Sequence, residues 1–369
     1  MQALIDGSRL MTEALVKAGA EVFIGYPITP ANNLYLFSGK RFKTFLAAPD
    51  EITTLQWMSG FAAAGKLPVT ATSFPGFALM LESINMAYMM ELPMVIVLVQ
   101  RLGPATGTAT SGAQGDIALL NGMLSGGYSI PVISTSEAND CWEMAENALK
   151  TAVELRTPVI LLTSKEEVMT QFSFDLDTLK EIKAVERKYY SSDGKFIPYK
   201  RDERGVPEFL PVNNDRHQVR YTASTHNENG ILEGITPGAL NNTISINKKI
   251  EKNIDSYLYY DLEKDDASDT LLVSYGITAN AAREAAVRLR KEGRPVSVFI
   301  PKTLLPIPDK YMNIMSGYSN IVIAEENHPG LYRKLLFGVK APTNVHSVNA
   351  IGRMINPDEI IEEVKKHGN

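Results

Sequence analysis

The sequence predicts an α/β protein with doubly wound, mostly parallel sheets. Helix and strand signals alternate from Met1 to Thr163 and again from Asp269 onward. Met94–Val99 is a continuous apolar run, typical of a parallel strand covered by helices on both faces. Apolar residues are 44% and charged residues 21% of 369 positions, a balance that fits two or three soluble globular domains.

Glycine and proline residues mark the ends of helices in the first part of the chain, from Met1 to Thr163. Gly19 and Gly65 each follow a predicted helix, and Pro93 ends another. The predicted helices are Met1–Ala18, Glu51–Ala64, Phe77–Glu91 and Cys141–Leu155, and the predicted strands are Glu21–Ile24, Val69–Thr72, Met94–Val99, Ile130–Ser134 and Pro158–Thr163.

Alternating helix and strand signals return in the last third of the sequence. We predict strands at Leu271–Tyr275, Val296–Ile300, Ile321–Glu325 and Asn344–Val348, and helices at Thr278–Glu292, from Gly330 and from Asn356 to Lys366. We therefore divide the chain into a domain at 1–170, a connector at 171–264 and a domain at 265–369. The connector is rich in charge, Asn and Gly, and its length favours packing on the domains or on a partner.

Composition excludes several classes of function. The single cysteine, Cys141, cannot form an internal disulfide or hold an iron–sulfur cluster, and the five histidines lack a metal-binding spacing, so we predict no metal ligands. The net charge of −5 gives no indication of a nucleic-acid or membrane partner. No apolar stretch approaches the roughly 20 residues of a membrane span. The charged, amphipathic N-terminus argues against a secretory signal, so we expect a cytoplasmic protein.

Candidate functional residues lie in turns that follow predicted strands, where α/β folds place ligands. Two prolines hold Thr29 in the turn at 25–30. Gly76 opens a helix after Ser73, and Arg101 follows the apolar strand with a guanidinium suited to a carboxylate. Glu51 starts a helix. Each feature alone also has an ordinary explanation. The turns at Thr29 and Gly76 could be plain strand-to-helix connections, Arg101 a surface arginine and Glu51 a helix-capping acid.

Taken together, the motifs are more specific. G-Y-P-I-T-P at 25–30, the acid at 51, T-A-T-S-F-P-G-F at 70–77 and V-Q-R-L-G-P-A-T-G at 99–107 occur in this order. The sequence resembles the alpha subunit of 2-oxoacid:ferredoxin oxidoreductases, most closely the 2-oxoglutarate (KorA-type) members. The resemblance implies a pyrimidine-type thiamine-diphosphate-binding domain, followed by a domain similar to the transketolase C-terminal domain.

The resemblance also implies a reaction and partners. The reaction is oxidative decarboxylation of a 2-oxoacid, with 2-oxoglutarate favoured, to acyl-CoA and CO2 with reduction of ferredoxin. Thiamine diphosphate would lie at the interface with a beta subunit that holds Mg2+ and a [4Fe-4S] cluster. Gamma and ferredoxin-like delta subunits are further possible partners, and gamma is either a separate subunit or missing. Gly115-Asp116 is followed by Ile117, so the G-D-G motif for magnesium is absent here, which agrees with this division.

The resemblance assigns roles to individual residues. Glu51 matches the glutamate that hydrogen-bonds the aminopyrimidine ring. Thr29 matches the threonine that binds the substrate carboxylate or carbonyl, and Arg101 matches the arginine that pairs with the carboxylate. The expected cofactor contacts are Glu51, Pro27, Ile28, Thr29, Ser73, Phe74 and Gly76.

Some positions depart from the family pattern. Phe74 and Leu102 replace glycines, and Ala105 replaces a serine. These changes leave the 2-oxoacid open. They also leave open two other functions, a non-catalytic scaffold subunit of such a complex and a subunit of another thiamine-diphosphate enzyme.

Overall fold

The computed structural model describes residues 1–367, which form two main sheets and a two-stranded ribbon. The strands are β1 Gln2–Ile5, β2 Val22–Gly25, β3 Thr44–Ala47, β4 Pro68–Thr72, β5 Met94–Gln100, β6 Val132–Ser134, β7 Pro158–Ser164, β8 Phe172–Asp175, β9 Tyr260–Glu263, β10 Thr270–Ser274, β11 Ser297–Pro301, β12 Thr303–Leu305, β13 Asn320–Glu325 and β14 Val345–Asn349. The helices are α1 Gly7–Lys17, α2 Asn32–Arg41, α3 Glu51–Ala63, α4 Phe74–Met89, α5 Ile117–Gly122, α6 Ala138–Leu155, α7 Lys165–Met169, α8 Pro237–Lys252, α9 Ala279–Lys291, α10 Asp309–Met315, α11 Leu331–Phe337 and α12 Pro357–His367. The predicted α/β fold class is confirmed.

The larger sheet has seven strands in the order β12-β6-β7-β5-β4-β2-β3. All of its neighbours pair in parallel except β12, which is antiparallel to β6. Every residue of β5 and β7 is buried, because α3 and α4 contribute to the apolar core on one face and α1 and α6 to the core on the other. This double coverage explains the uninterrupted apolar sequence of β5.

The N-terminal helix predicted from Met1 is wrong over its first residues. Gln2–Ile5 is a strand that pairs antiparallel with β8, about 170 positions away along the chain. The helix begins only at Gly7, where the Asp6 carboxylate caps it by accepting a 3.0 Å hydrogen bond from the Arg9 amide. A partner so distant in sequence leaves no local signal for β1.

The smaller sheet has the order β14-β13-β10-β11-β9, with only β9 antiparallel to its neighbour. Strand β9 precedes residue 265 and is nevertheless hydrogen-bonded into this sheet. One apolar cluster includes Leu98 of the larger sheet and Val273 of the smaller one. The two sheets therefore share a continuous core.

Residues 171–264 contain a long helix, α8, that the sequence analysis did not predict. Lys249 of α8 is buried and donates a 2.6 Å hydrogen bond to Glu91, in the turn between α4 and β5. Arg201 donates a 2.8 Å bond to the other carboxylate oxygen of Glu91. Burial opposes ionisation of Glu91, but the two cations outweigh it and lower its pKa to about 2. These ion pairs attach the segment to the larger sheet.

Candidate active site

Four candidate turns meet at one edge of the larger sheet. Strands β3, β2, β4 and β5 are consecutive neighbours, and parallel pairing brings their carboxyl ends to the same side. The turns that follow them carry, in that order, Glu51, Thr29, Gly76 and Arg101. The edge lies where ligands bind in open α/β sheets.

Glu51 is a buried carboxylate at the first position of α3. The neighbouring Asp50 caps this helix by accepting a 2.7 Å hydrogen bond from the Thr53 amide, so Glu51 is not needed as a cap. Glu51 is only 6% exposed, and within residues 1–367 no hydrogen bond or ion pair reaches its carboxylate. The Glu51 carboxylate is therefore uncommitted among the described residues and available to a ligand.

Gly76 provides the space beside Glu51. A Cβ atom at Gly76 would lie 2.4 Å from Glu51 Oε1 and 2.3 Å from Thr72 Oγ1. Only glycine allows the first turn of α4 to lie against both side chains. The adjacent Ser73 hydroxyl is buried and has no partner among the described residues, while Phe74 is half-buried. A carboxylate and a hydroxyl thus remain uncommitted at the start of α4.

Thr29 and Arg101 form a second contacting pair. Arg101 Nη1 donates a 2.6 Å hydrogen bond to the Thr29 carbonyl oxygen. Asn32 Nδ2 donates a 3.0 Å bond to Thr29 Oγ1, so the Thr29 hydroxyl can still donate its own proton. In the same turn, Pro27 is exposed, and Ile28 is half-buried against the core.

Arg101 lies in an electrostatic pair with Asp116. Burial lowers the pKa of Arg101, and the negative charge of Asp116 opposes this shift. Burial raises the pKa of Asp116 to about 7, against the opposing effect of Arg101. Asp116 Oδ2 and Arg101 Nε have no hydrogen-bond partner within residues 1–367. The guanidinium therefore keeps hydrogen-bonding capacity for an anion.

The loop after Arg101 is folded back on itself. Leu102 and Thr108 form an isolated antiparallel bridge. Gly107 has a φ of +47°, and a Cβ there would lie 1.7 Å from the Leu102 carbonyl oxygen. Leu102 Cδ2 lies 3.5 Å from the Cβ position of Gly352, so this unusual residue faces the C-terminal unit.

Sequence reasoning missed three residues of this region. Thr72 lies within the quoted motif at 70–77, and Asp116 was considered only as part of an incomplete magnesium motif. Asn32 stands three positions after Thr29, a spacing typical of contacts at a helix start, and this signal could have identified it.

The fold and this edge of the sheet define an α/β protein with a candidate ligand site at the carboxyl ends of parallel strands. Residues 13–233 match the family model described as pyruvate flavodoxin/ferredoxin oxidoreductase, thiamine diphosphate binding. Because the match spans more than half of the chain, the chain belongs to this family, and the predicted resemblance is confirmed.

Individual relatives agree with this membership. The chain is 28% identical to 2-oxoglutarate synthase subunit KorA of Methanocaldococcus jannaschii, over 97% of each chain. It superimposes with a TM-score of 0.92 and 25% identity on 2-oxoglutarate:ferredoxin oxidoreductase from Magnetococcus marinus, solved with 2-oxoglutarate, coenzyme A and succinyl-CoA bound; 99% of this chain matches 65% of that one. A split-gene transketolase shares the fold, with a TM-score of 0.56 at 15% identity, covering 99% of this chain and 98% of that one. Within residues 1–367 no helix is long and apolar enough to cross a membrane.

Proposed function

We propose that this chain is the alpha subunit of a cytoplasmic 2-oxoacid:ferredoxin oxidoreductase that oxidatively decarboxylates a 2-oxoacid, with 2-oxoglutarate favoured, to acyl-CoA and CO2. The observation that carries the proposal is the buried Glu51 carboxylate, which has no partner within residues 1–367 and lies against Gly76. The Arg101–Thr29 pair follows neighbouring strands of the same edge. The name of the M. jannaschii relative and the ligands of the M. marinus structure support 2-oxoglutarate.

The residues of this edge fit thiamine diphosphate. When bound, this cofactor supplies a nucleophilic carbon and an electron sink for decarboxylation. Glu51 would hold the aminopyrimidine ring by sharing a proton between its carboxylate and the ring nitrogen. The absent side chain at Gly76 allows a close approach, and the Ser73 hydroxyl is available as a further donor. Pro27, Ile28 and Phe74 would complete the contacts.

Thr29 and Arg101 would bind the 2-oxoacid. The Thr29 hydroxyl, whose oxygen accepts from Asn32, keeps its own proton to donate to the substrate carboxylate or carbonyl. The Arg101 guanidinium offers donors and positive charge to the carboxylate. Because Nη1 is held by the Thr29 carbonyl, both groups keep a fixed spacing.

Exposed apolar side chains on the elements that carry the site support a partner subunit. They lie on the turn after β2 and on α3 and α4, namely Tyr26, Ile52, Trp57, Leu79 and Met86. We propose a beta subunit here that holds the cofactor diphosphate, Mg2+ and a [4Fe-4S] cluster. The fully buried Cys141 of this chain is unsuited to a cluster. Gamma and ferredoxin-like delta subunits, with ferredoxin as acceptor, complete the proposed assembly.

Reconstitution tests this function directly. The chain is co-expressed with the subunits encoded beside it, and reduction of a low-potential viologen dye is followed with 2-oxoglutarate, pyruvate and 2-oxoisovalerate. We expect reduction that requires both thiamine diphosphate and coenzyme A and is fastest with 2-oxoglutarate. Faster turnover of another 2-oxoacid would overturn only the assignment of 2-oxoglutarate as the favoured substrate. No reduction with any 2-oxoacid would overturn the proposed function.

A further inference from the structure

Gln114 joins the loop after β5 to the C-terminal unit, the part of the chain built on the smaller sheet. This loop, here called the Arg101 loop, runs from Arg101 to Asp116, the two members of the electrostatic pair in the candidate active site. Gln114 is only 1% exposed, although its side chain is polar. Within residues 1–367, every hydrogen-bond partner of Gln114 belongs to the C-terminal unit.

The Gln114 side chain bridges the ends of two neighbouring strands of the smaller sheet. Its Nε2 atom donates a 2.7 Å hydrogen bond to the carbonyl oxygen of Tyr275, directly after β10. Its Oε1 atom accepts a 2.9 Å bond from the Thr278 hydroxyl and a 2.7 Å bond from the amide of Glu326, directly after β13. Strands β10 and β13 pair in parallel, so their carboxyl ends lie at one edge. The chain therefore places its own glutamine at an edge where open α/β sheets bind ligands.

The backbone of Gln114 is held by the same elements. Its amide donates a 2.8 Å hydrogen bond to the Glu326 carbonyl oxygen. Its carbonyl oxygen accepts a 3.1 Å bond from the Tyr275 hydroxyl and a 3.0 Å bond from Asn327 Nδ2. Gly276 leaves room for the side chain, because its φ is +59° and a Cβ atom there would lie 2.7 Å from Gln114 Nε2. The C-terminal unit thus fixes both the position and the orientation of residue 114.

The position of Gln114 bears on Arg101 through Asp116. Asp116 lies two positions after Gln114, is buried, and acts on the Arg101 guanidinium through its negative charge. Within residues 1–367 no hydrogen bond holds the Asp116 carboxylate, so the backbone on either side sets its position. On one side that backbone enters α5, and on the other it is fixed at Gln114.

We propose that Gln114 is a positioning residue of the 2-oxoacid site, which attaches the end of the Arg101 loop to the C-terminal unit and so holds Asp116 beside the Arg101 guanidinium. The inference rests on the proposed function, because it is there that Arg101 binds the substrate carboxylate. It makes substrate binding at the larger sheet depend on the smaller sheet. Gln114 itself touches no substrate.

Steady-state kinetics of the reconstituted complex test this role. Gln114→Ala should raise the KM for the 2-oxoacid by about 10- to 100-fold and change kcat much less, since a small misplacement of a binding group is that costly. Thr278→Val removes one donor to Gln114 and keeps the shape of the side chain, so KM should rise by about 2- to 10-fold. Gln171→Ala, at an exposed glutamine, is the control with an unchanged KM.

A double substitution tests the route through Asp116. If Gln114 acts by placing the Asp116 carboxylate, Gln114→Ala should raise KM much less in an Asp116→Asn background than in the unchanged chain. Full additivity of the two substitutions would overturn the proposal. An unchanged KM in both Gln114→Ala and Thr278→Val would overturn it as well.

Hydrogen exchange of the same complexes separates positioning from general stability and does not require activity. In Thr278→Val, the amides of residues 102–116 should exchange faster, while those of β10 and β13 keep their rates. Faster exchange across both strands as well would show that Gln114 only stabilises the fold, and would overturn the proposal. An inactive unchanged complex would overturn the proposed function, and the exchange rates would still decide whether Gln114 holds the Arg101 loop.

Discussion

Arg101 Nη1 donates a 2.6 Å hydrogen bond to the backbone carbonyl oxygen of Thr29, joining the turn after β2 to the end of β5. Strand β4 lies between these two strands, so the bond spans three neighbouring strand ends. It fixes an arginine and a hydroxyl side by side without using the hydroxyl, and this arrangement underlies the first two predictions.

Arg101→Ala should strongly weaken binding of the 2-oxoacid. Loss of one partner of a buried charge pair costs about 2–5 kcal/mol, so the KM for the 2-oxoacid should rise steeply. Steady-state kinetics of the reconstituted complex measure this, with Arg216→Ala as the exposed control. An unchanged KM in Arg101→Ala would favour the non-catalytic scaffold.

Asn32→Ala should weaken catalysis through Thr29. Loss of one hydrogen bond to the Thr29 hydroxyl should cost about 0.5–1.5 kcal/mol, or up to about 10-fold in kcat/KM. In a Thr29→Val background the same substitution should have almost no effect, because the oriented hydroxyl is already gone. Full additivity of the two substitutions would show that Asn32 does not act through Thr29.

Glu51→Gln should reduce turnover and leave assembly intact. The amide keeps the size of the side chain but cannot share a proton with the cofactor ring, and loss of acid–base catalysis typically costs 10²–10⁴-fold. Turnover and subunit stoichiometry are compared with Glu284→Gln, an exposed substitution on α9. Turnover equal to that of the control would exclude the proposed role.

Gly76→Ala should impair cofactor binding. The added methyl group would overlap Glu51 Oε1 and Thr72 Oγ1, so either Glu51 or the start of α4 must move. Thiamine diphosphate affinity of the complex, measured by fluorescence titration, should fall at least 10-fold. Gly122→Ala is a matched control, because its Cβ has no neighbour within 4 Å among the described residues.

Asp116→Asn should change the pH dependence of stability. The pKa of Asp116 in the folded chain is about 7, above its usual value of 3.8, so the folded chain holds an extra proton between these values. The stabilisation of the folded chain by this proton is fully present below about pH 4 and is lost as pH rises through 7. Urea unfolding measures the free energy of unfolding from pH 4 to 8. This free energy should therefore decline less for Asp116→Asn than for the unchanged chain or the exposed control Asp215→Asn. Equal declines in the free energy of unfolding of all three proteins would contradict a raised pKa of the buried Asp116 carboxyl.

Sequence patterns predicted those strands whose environment is uniform. The apolar run of β5 follows from burial on both faces, and the prediction agrees with the strand to within one residue. Strand β3 was missed because it is a short edge strand with no fully buried residue. Helix α8 was missed although Thr236 caps it and Pro237 begins it, because its buried face includes the charged Lys249, which pairs with Glu91, 158 positions away.

The candidate site shows the same limit. Thr29 and Arg101 were selected from separate motifs, but their hydrogen bond depends on the strand order, which no local pattern reveals. The electrostatic effect of Asp116 on Arg101 likewise arises from the path of the loop between them. Residue types were therefore accessible from the sequence, and their spatial relationships were not.

Strand β12 has a consequence for how the chain can be divided. It belongs by sequence to the C-terminal third and completes the larger sheet by pairing with β6. Removal of the chain after residue 264 would expose the backbone donors and acceptors of β6, and an unprotected sheet edge recruits strands from other molecules. The C-terminal third thus covers an edge of the N-terminal sheet, and we expect an N-terminal fragment expressed without it to aggregate.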